Sequence, residues 1–343
     1  MPTRMSRPLP GGGFATLREL TRARAWARLA AIGAALVFVG TGCGDDETAA
    51  GEKPGEGETI KIAVNPWTGS AVNANVAKIL LERELGYKVE LVDIDENSQF
   101  PAIASDKLDA SLEVWPSGHA ADINRYIEGR RGGPLRDGRI VDDGKLGIIG
   151  NIGWWIPTYL LKDHPELARW QGLKGNENLV NGEFLAGDPT FVSYDKEIIK
   201  NLGLDLKVVN TGSERALLQA IDEAYKAKRP FLTYFYTPHW AHRKYDLTEV
   251  QLPAYDEECE EAARDRDGEG YDCDYANDVL FKMAWLGLED KAPEAASFLK
   301  NFNYSTDDQQ EIAFQADSQG VPIQQAAEQW IDQNPNVWRK WLS

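Results

Sequence analysis

The sequence predicts an α/β protein built from two similar halves. Three observations support this prediction. From Thr59 onward, short β-branched segments alternate with amphipathic segments of helical period, which is typical of βαβ units with parallel strands. The chain has 343 residues, which favours about two domains. Its composition, 43% hydrophobic and 27% charged, is that of a folded globular protein.

Charge and aromatic content restrict the possible functions. The formal net charge is −17 at pH 7, which argues against a nucleic-acid partner because phosphate binding needs a basic surface. The chain also has 11 Trp. Either the core or a binding site uses these indoles, and their positions must show which.

The first residues form a leader and not part of the fold. Six Arg precede an uncharged apolar run, Leu29–Val39, which is too short to span a bilayer and is typical of a signal peptide. Small residues follow and lead to Cys43, so we expect residues 1–42 to be a lipoprotein signal peptide with Cys43 acylated. Gly40 stands where such signals usually have an aliphatic residue, and the alternative is a secreted protein with an incidental Cys.

Residues 43–58 are acidic and rich in Gly, which predicts a flexible tether. This places the folded part outside the cytoplasm, at the outer face of a bacterial cell membrane. The lipid anchor would be its only membrane contact.

Two further cysteines, Cys259 and Cys273, remain after the leader. An exported protein meets an oxidising compartment, so these two thiols are predicted to form a disulfide. The charged, Gly-containing segment between them is typical of a surface loop.

The first half begins with a strand, Thr59–Val64, and a helix from about Ala71 to Leu85 that ends at Gly86. A strand at Tyr87–Val92 completes a βαβ unit. A short helix around Phe100–Ser105 and a third strand, Leu108–Leu112, follow.

The second half repeats this alternation from a strand that begins near Trp154. Its predicted elements are the helix Asp195–Leu202, the strand Leu206–Val209, the helix Ser213–Lys226 and the strand Phe231–Tyr236. The tail from Pro293 is predicted to be helical, with breaks at Gly and Pro.

Aromatic side chains follow several predicted strands. Trp67 follows the first strand, Trp115 the third, and Tyr236 and Trp240 the last, while Tyr194 opens a helix. Ligands of open α/β sheets bind beyond the carboxyl ends of the strands. These residues therefore indicate an aromatic cage for a methylated ammonium group, through cation–π contacts, or a stacking surface for a sugar. The alternative is that these aromatic side chains pack in the hydrophobic core and bind no ligand.

Motifs of catalysis and metal binding are missing or weak. The sequence has no GxSxG, HExxH, P-loop or GxGxxG pattern. His239 and His242 are three residues apart, but two imidazoles without neighbouring ligands are a weak zinc signal. His119 is either a loop residue or a support for the site. No catalytic residue, metal ion or cofactor is therefore predicted.

Three segments resemble a known family. They are KIAVNPWTGSAVNANVAKILLERELGYKVELVDID, SDKLDASLEVWPSGH and FLTYFYTPHWAH, and the C-terminal helical segments agree with them. From about Lys61 onward the chain resembles the substrate-binding lipoproteins of bacterial ABC importers for glycine betaine, choline and related quaternary amines.

The resemblance implies roles for individual residues. Trp115 and Tyr236 would be walls of the cage, although the family commonly has Trp where this chain has Tyr236. Trp67 would lie near the ligand carboxylate, with the backbone amides of Gly69 and Ser70 at a helix start. His239 would donate a hydrogen bond to the ligand carboxylate. Other residues expected at the site are His119, Trp155, Tyr194 and Trp240. The third cage member stays open among Trp154, Trp155, Phe191 and Tyr194.

The fold implied is a type II periplasmic binding protein with two lobes, two chain crossovers and a ligand cleft between the lobes. We expect residues 59–153 and 275–343 in the first lobe and 154–274 in the second, with hinge closure around the ligand. The expected partners are a quaternary amine and the permease subunits of the importer, with the binding protein a monomer and not an enzyme. The alternative is a sugar- or polyamine-binding lipoprotein of another importer.

Overall fold

The computed structural model describes residues 53–127, 139–259, 261 and 270–343. They form a mixed sheet of nine strands in the order β2-β1-β3-β9-β4-β7-β5-β6, with β8 paired to β4. The predicted signal peptide, the lipidation site Cys43 and most of the tether lie outside the described residues.

The strands are β1 Thr59–Val64, β2 Lys88–Asp93, β3 Ala110–Val114, β4 Ile140–Pro157, β5 Glu183–Ala186, β6 Lys207–Asn210, β7 Thr233–Thr237, β8 Leu247–Glu249 and β9 Asn277–Trp285. The α-helices are α1 Thr68–Leu80, α2 Glu96–Ala104, α3 Ala120–Tyr126, α4 Trp170–Leu173, α5 Asp195–Asn201, α6 Glu214–Lys226, α7 Ala241–Lys244, α8 Leu288–Lys291, α9 Pro293–Asn301, α10 Thr306–Gln319, α11 Ile323–Gln333 and α12 Pro335–Trp338. A π-helical turn at Leu81–Leu85 follows α1, and short 3₁₀ helices occur at Thr158–Lys162, Pro165–Ala168, Glu177–Val180 and Arg339–Leu342.

The first half has the predicted βαβ unit. Strand β1 is parallel to both β2 and β3. Helix α1 connects β1 to β2 and packs against the C-terminal helices α10 and α11. Gly86, with φ of +80°, ends the helical segment in the left-handed conformation that glycine favours.

Strand β4 begins 14 residues earlier than predicted, at Ile140 instead of Trp154. Three glycines and the pair Asp142-Asp143 interrupt the apolar alternation of its first part, so that part has no clear strand pattern. Pairing with β9 supplies the hydrogen bonds that hold it extended. A tertiary contact therefore decides this strand.

Strands β4 and β9 join the two halves. Strand β4 pairs with β9 from Ile140 to Asn151 and then with β7 from Asn151 to Trp155. Strand β9 returns the chain and pairs with β3. The chain thus crosses twice between the halves, as in the predicted two-lobed fold.

The second half contains the other parallel strands. Strand β5 is parallel to β6 and β7. Helix α6 begins where the sequence predicts, because the Ser213 hydroxyl accepts a hydrogen bond from the backbone N–H of Ala216.

Several tryptophans belong to the core and not to a site. Trp330, Trp338 and Trp341 are buried among the C-terminal helices, where Phe302 and Trp341 pack with ring centroids 4.6 Å apart. Trp154 is fully buried, and its indole N–H donates to Asp195 at 2.7 Å. These indoles account for part of the high Trp content.

The Sγ atoms of Cys259 and Cys273 lie within bonding distance, with the Cα atoms 6.4 Å apart. Cys273 is buried, whereas Cys259 is partly exposed. In the part of the chain that the structure describes, no helix combines the length and the apolar character needed to cross a membrane.

Candidate functional site

An aromatic cavity, partly open to solvent, lies between residues of the two halves of the sheet. Its lining residues are Trp67, Glu96, Trp115, Ser117, Ile152, Phe191, Val192, Tyr234 and Tyr236. Five of these nine side chains are aromatic. The cavity therefore joins residues that follow β1 and β3 to residues of β4, β7 and the loop after β5.

One buried carboxylate orients two walls of the cavity. The indole N–H groups of Trp67 and Trp115 both donate to Oε1 of Glu113, at 2.7 and 3.0 Å. Trp67 immediately precedes α1 and Trp115 immediately follows β3, so the parallel strands bring the two indoles to the same sheet edge. Shared hydrogen bonding to Glu113 then holds the positions of both rings.

The second oxygen of Glu113 is also fully engaged. Oε2 accepts from Asn73 Nδ2 at 2.7 Å and from Gln309 Nε2 at 2.8 Å. Burial raises the pKa of Glu113, while the hydrogen bonds from Trp115, Trp67 and Gln309 oppose the increase. The carboxylate thus ties α1, β3 and α10 together behind the cavity.

Trp115 also depends on a glycine for its position. A Cβ atom at Gly150 would lie 2.3 Å from the Trp115 ring, which is closer than real Cβ contacts. Gly150 on β4 therefore leaves the space that the indole fills. Trp115 in turn contacts Tyr236 edge-on, with ring centroids 5.4 Å apart.

Tyr236 presents its ring to the cavity and its hydroxyl to a second buried carboxylate. The hydroxyl donates to Glu214 Oε2 at 2.7 Å, and the backbone N–H of Thr68 donates to Glu214 Oε1 at 3.2 Å. Burial would raise the pKa of Glu214, but His239 and Tyr236 outweigh it and lower this pKa below its usual value. Glu214 is therefore an anion at neutral pH.

Phe191 and Tyr234 complete the aromatic lining. Phe191 meets Trp67 edge-on at 5.9 Å between ring centroids and lies 6.0 Å from Tyr234. Of the four candidates for a third cage member, Phe191 is the one that lines this cavity.

The other three candidates lie elsewhere among the described residues. Trp154 is a core residue, as described above. Trp155 packs on His242 with ring centroids 4.3 Å apart, and Tyr194 stacks on Tyr271 at 4.1 Å. Neither lines the cavity: Trp155 lies on the part of β4 that pairs with β8, and Tyr194 packs beside Tyr275.

His119 supports the cavity through Glu96. Its Nε2 lies 3.1 Å from Glu96 Oε2, and its Nδ1 lies 3.7 Å from Asp122. Burial would lower the pKa of His119, but the carboxylates of Asp122 and Glu96 outweigh it and raise this pKa to about 9. Protonated His119 therefore holds Glu96, whose other oxygen accepts from the backbone N–H of Val192.

The remaining predicted site residues lie just outside the cavity. Gly69 packs against Glu113, because a Cβ there would lie 2.9 Å from its Oε2. Ser70 is buried and accepts a hydrogen bond from the backbone N–H of Asn65. Trp240 donates to Asp317 at 2.8 Å, and His239 lines a small adjoining space together with Gly69 and Glu113.

One group of side chains has the composition of a metal site. Ligand atoms of Glu214, His239 and Asp317 lie within 4.8 Å of one another. However, His239 Nδ1 accepts a hydrogen bond from the backbone N–H of Ala241 at 3.1 Å. A ring that accepts this bond at Nδ1 carries its proton on Nε2, the atom that faces Glu214, and has no lone pair there for a metal ion.

Sequence reasoning missed four contributors to the site, Tyr234, Glu113, Glu96 and Ser117. Two of them had a signal in the sequence. Tyr234 is two residues before Tyr236 and Glu113 is two residues before Trp115, so each pair lies on one face of a strand or its extension. Glu96 had no such signal, because its part in the cavity depends on the contact with Val192.

Comparison with known proteins shows which protein family has a matching sequence. The family OpuAC, described as the substrate binding domain of the ABC-type glycine betaine transport system, matches residues 58–333. The trimethylamine N-oxide-binding protein of Pelagibacter ubique is 25% identical over 293 residues, covering 81% of this chain and 89% of that protein. The glycine betaine/carnitine transport binding protein GbuC of Listeria monocytogenes is 28% identical over 134 residues, which span 39% of this chain and 38% of that protein.

Solved structures share the fold. The glycine betaine/L-proline-binding protein ProX of Borrelia burgdorferi superposes with a TM-score of 0.68 at 19% identity, covering 83% of this chain and 97% of that one. Lactococcal OpuAC in its closed form with glycine betaine gives 0.65 at 20% identity, covering 83% and 100%. The family match spans most of the chain and includes every residue that lines the cavity. This chain therefore belongs to the family of substrate-binding domains of ABC-type glycine betaine transport systems.

Proposed function

We propose that this protein is the extracytoplasmic receptor of an ABC importer and captures a compound with a methylated ammonium group in the cavity between its two halves. The main observation is the cage of Trp67, Trp115, Phe191, Tyr234 and Tyr236 around one small, partly open space. The names of the two relatives support this chemistry, since they specify glycine betaine and carnitine in one case and trimethylamine N-oxide in the other.

Cation–π contacts supply part of the binding energy. Each desolvated aromatic face contributes about 0.5–2 kcal/mol to holding a cation, so three faces contribute about 1.5–6 kcal/mol. Micromolar affinity needs about 8 kcal/mol. The burial of the methyl groups and polar contacts at the other end of the ligand supply the remainder.

The lining favours this ligand over those of the alternative function. A sugar needs several hydrogen-bonding side chains, but the indole N–H groups of Trp67 and Trp115 are already bonded to Glu113, and the hydroxyl of Tyr236 to Glu214. A polyamine needs carboxylates at both ends, and Glu96 is the single carboxylate among the lining residues.

Delivery requires the cavity to open. We place the hinge where β4 leaves β9 for β7, near Asn151, and at the start of β9 near Asn277. With this hinge we propose that residues 59–153 and 275–343 form one lobe and residues 154–274 the other. We further propose that a lipid on Cys43 keeps the monomeric protein beside its permease subunits and that Cys259 and Cys273 form a structural disulfide.

Calorimetry with charged and neutral ligands tests the proposed function. Choline should bind at least tenfold more tightly than 3,3-dimethylbutan-1-ol, its neutral tert-butyl isostere, because only the cation is attracted by the ring faces. Trp115→Ala and Phe191→Ala should each weaken choline binding by about tenfold. Trp155→Ala is the matched control, since Trp155 lies outside the cavity. Equal binding of the two isosteres would exclude cation–π recognition.

A further inference from the structure

The aromatic cavity has an acidic and not a basic polar end. Glu96, the first residue of α2, lines the cavity and is only 6% exposed. None of the nine lining residues is Lys or Arg. A ligand in this cavity therefore meets a carboxylate, which attracts cations and repels anions.

Two backbone donors near the cavity are already used by the protein's own carboxylates. The N–H of Val192 donates to Glu96, and the N–H of Ser117 donates to Asp278 at 3.0 Å, as does the Ser117 hydroxyl at 2.8 Å. Gly69 packs against Glu113 and is not among the residues that line the cavity. A carboxylate on the ligand would therefore have to compete with these internal acceptors.

Further buried carboxylates surround the cavity. Glu113 lies behind Trp67 and Trp115, and Glu214 is bonded to Tyr236. Burial, followed by the negative charges of Glu96, Asp195, Glu214 and Asp278, raises the pKa of Tyr234 well above its ordinary value. Among the described residues, the cation that contacts Glu96 is His119, whose charge Asp122 also partly offsets.

The polar lining matches an alcohol better than an acid. Glu96 lines the cavity and offers acceptor oxygens. A ligand hydroxyl can donate to them. A ligand carboxylate can only accept.

Resting on the proposed function, we infer that this site selects methylated ammonium ligands that lack a carboxylate, with choline as the representative, over zwitterions such as glycine betaine. Glu96 is the residue that sets this choice. The aromatic cage binds the shared trimethylammonium group, and the acidic end discriminates between the two ligands.

The test is isothermal titration of the full-length chain with choline, glycine betaine and betaine methyl ester. Choline should bind at least tenfold more tightly than glycine betaine. Betaine methyl ester, in which the carboxylate charge is removed, should recover most of this difference. Because this comparison uses the unaltered protein, it tests the inference even if a variant fails to fold.

Glu96→Gln should reduce the ratio of choline to glycine betaine affinity at least fivefold. Glu90→Gln, which removes a charge from an exposed position on β2, should leave the ratio unchanged. Glycine betaine binding as tightly as choline, or a ratio unchanged in Glu96→Gln, would overturn the inference. Failure of all three methylated compounds to bind would instead refute the proposed function.

Discussion

Replacement of Glu113 by Gln tests whether one buried carboxylate organises the cage. In Glu113→Gln, one carboxylate oxygen becomes an NH₂ group. Whichever side the NH₂ takes, it faces two donors, either the two indoles or Asn73 and Gln309. Asn73 cannot simply turn its amide, because its Oδ1 accepts from Tyr304 and Gln309.

The magnitude follows from these four hydrogen bonds. Two of them are lost, and bonds to a charged group are worth about 1.5–3 kcal/mol each. The neutral side chain is easier to bury, as the raised pKa of Glu113 indicates, which offsets part of the loss. We expect unfolding free energy to fall by about 2–4 kcal/mol and, because two indoles lose their orientation, choline affinity to fall about tenfold to a hundredfold.

Asp195→Asn is the matched control. Asp195 is also buried and accepts an indole N–H, from Trp154 at 2.7 Å, together with the hydroxyl of Tyr275 at 2.9 Å. Both donors bond the same oxygen, Oδ1, which Asn keeps as its amide oxygen, and Trp154 does not line the cavity, so this variant should keep its affinity and lose less stability than Glu113→Gln. Urea denaturation and calorimetry measure the two quantities. Unchanged affinity in Glu113→Gln, or an equal loss in Asp195→Asn, would refute the assigned role of Glu113.

Three further predictions concern the anchor, the disulfide and pH. Cys43→Ser should release the protein into the medium or leave it as uncleaved precursor, and unchanged partitioning into the detergent phase would contradict acylation. Thiol titration of the native exported protein should find no free thiol at Cys259 or Cys273, and reduction should lower the melting temperature while calorimetry still detects binding; a titratable native thiol would exclude the pairing. His119, with its pKa raised to about 9, should contribute up to about 3 kcal/mol of stability below pH 6.5 and lose it as pH rises from about 6.5 to 9. Urea unfolding of the protein and of His119→Gln across this range should converge at high pH, and a constant difference would contradict the ion pair.

Local pattern was enough to identify many elements of the fold. Helix α6 begins after Ser213 as predicted, because an N-cap and an apolar stripe are encoded within a few residues. Strands β1 and β2 lie within about a residue of their predicted positions for a similar reason, since alternation is a local signal. The first part of β4 is the exception, because only its pairing with β9 makes it a strand.

The sequence alone indicated aromatic residues at strand ends, and among them Trp67, Trp115 and Tyr236 line one cavity. Parallel strands end at a common edge, so position along the chain is sufficient to group such residues. Only the tertiary structure decided that Phe191, and not Trp154, Trp155 or Tyr194, joins them. The tertiary structure also decided that Glu96 lines the cavity while Glu113 lies behind the two indoles. The physical reason is that a local pattern specifies which residues end a strand. The opposite wall of the cavity and the partners of each buried carboxylate depend instead on contacts between residues far apart in the chain.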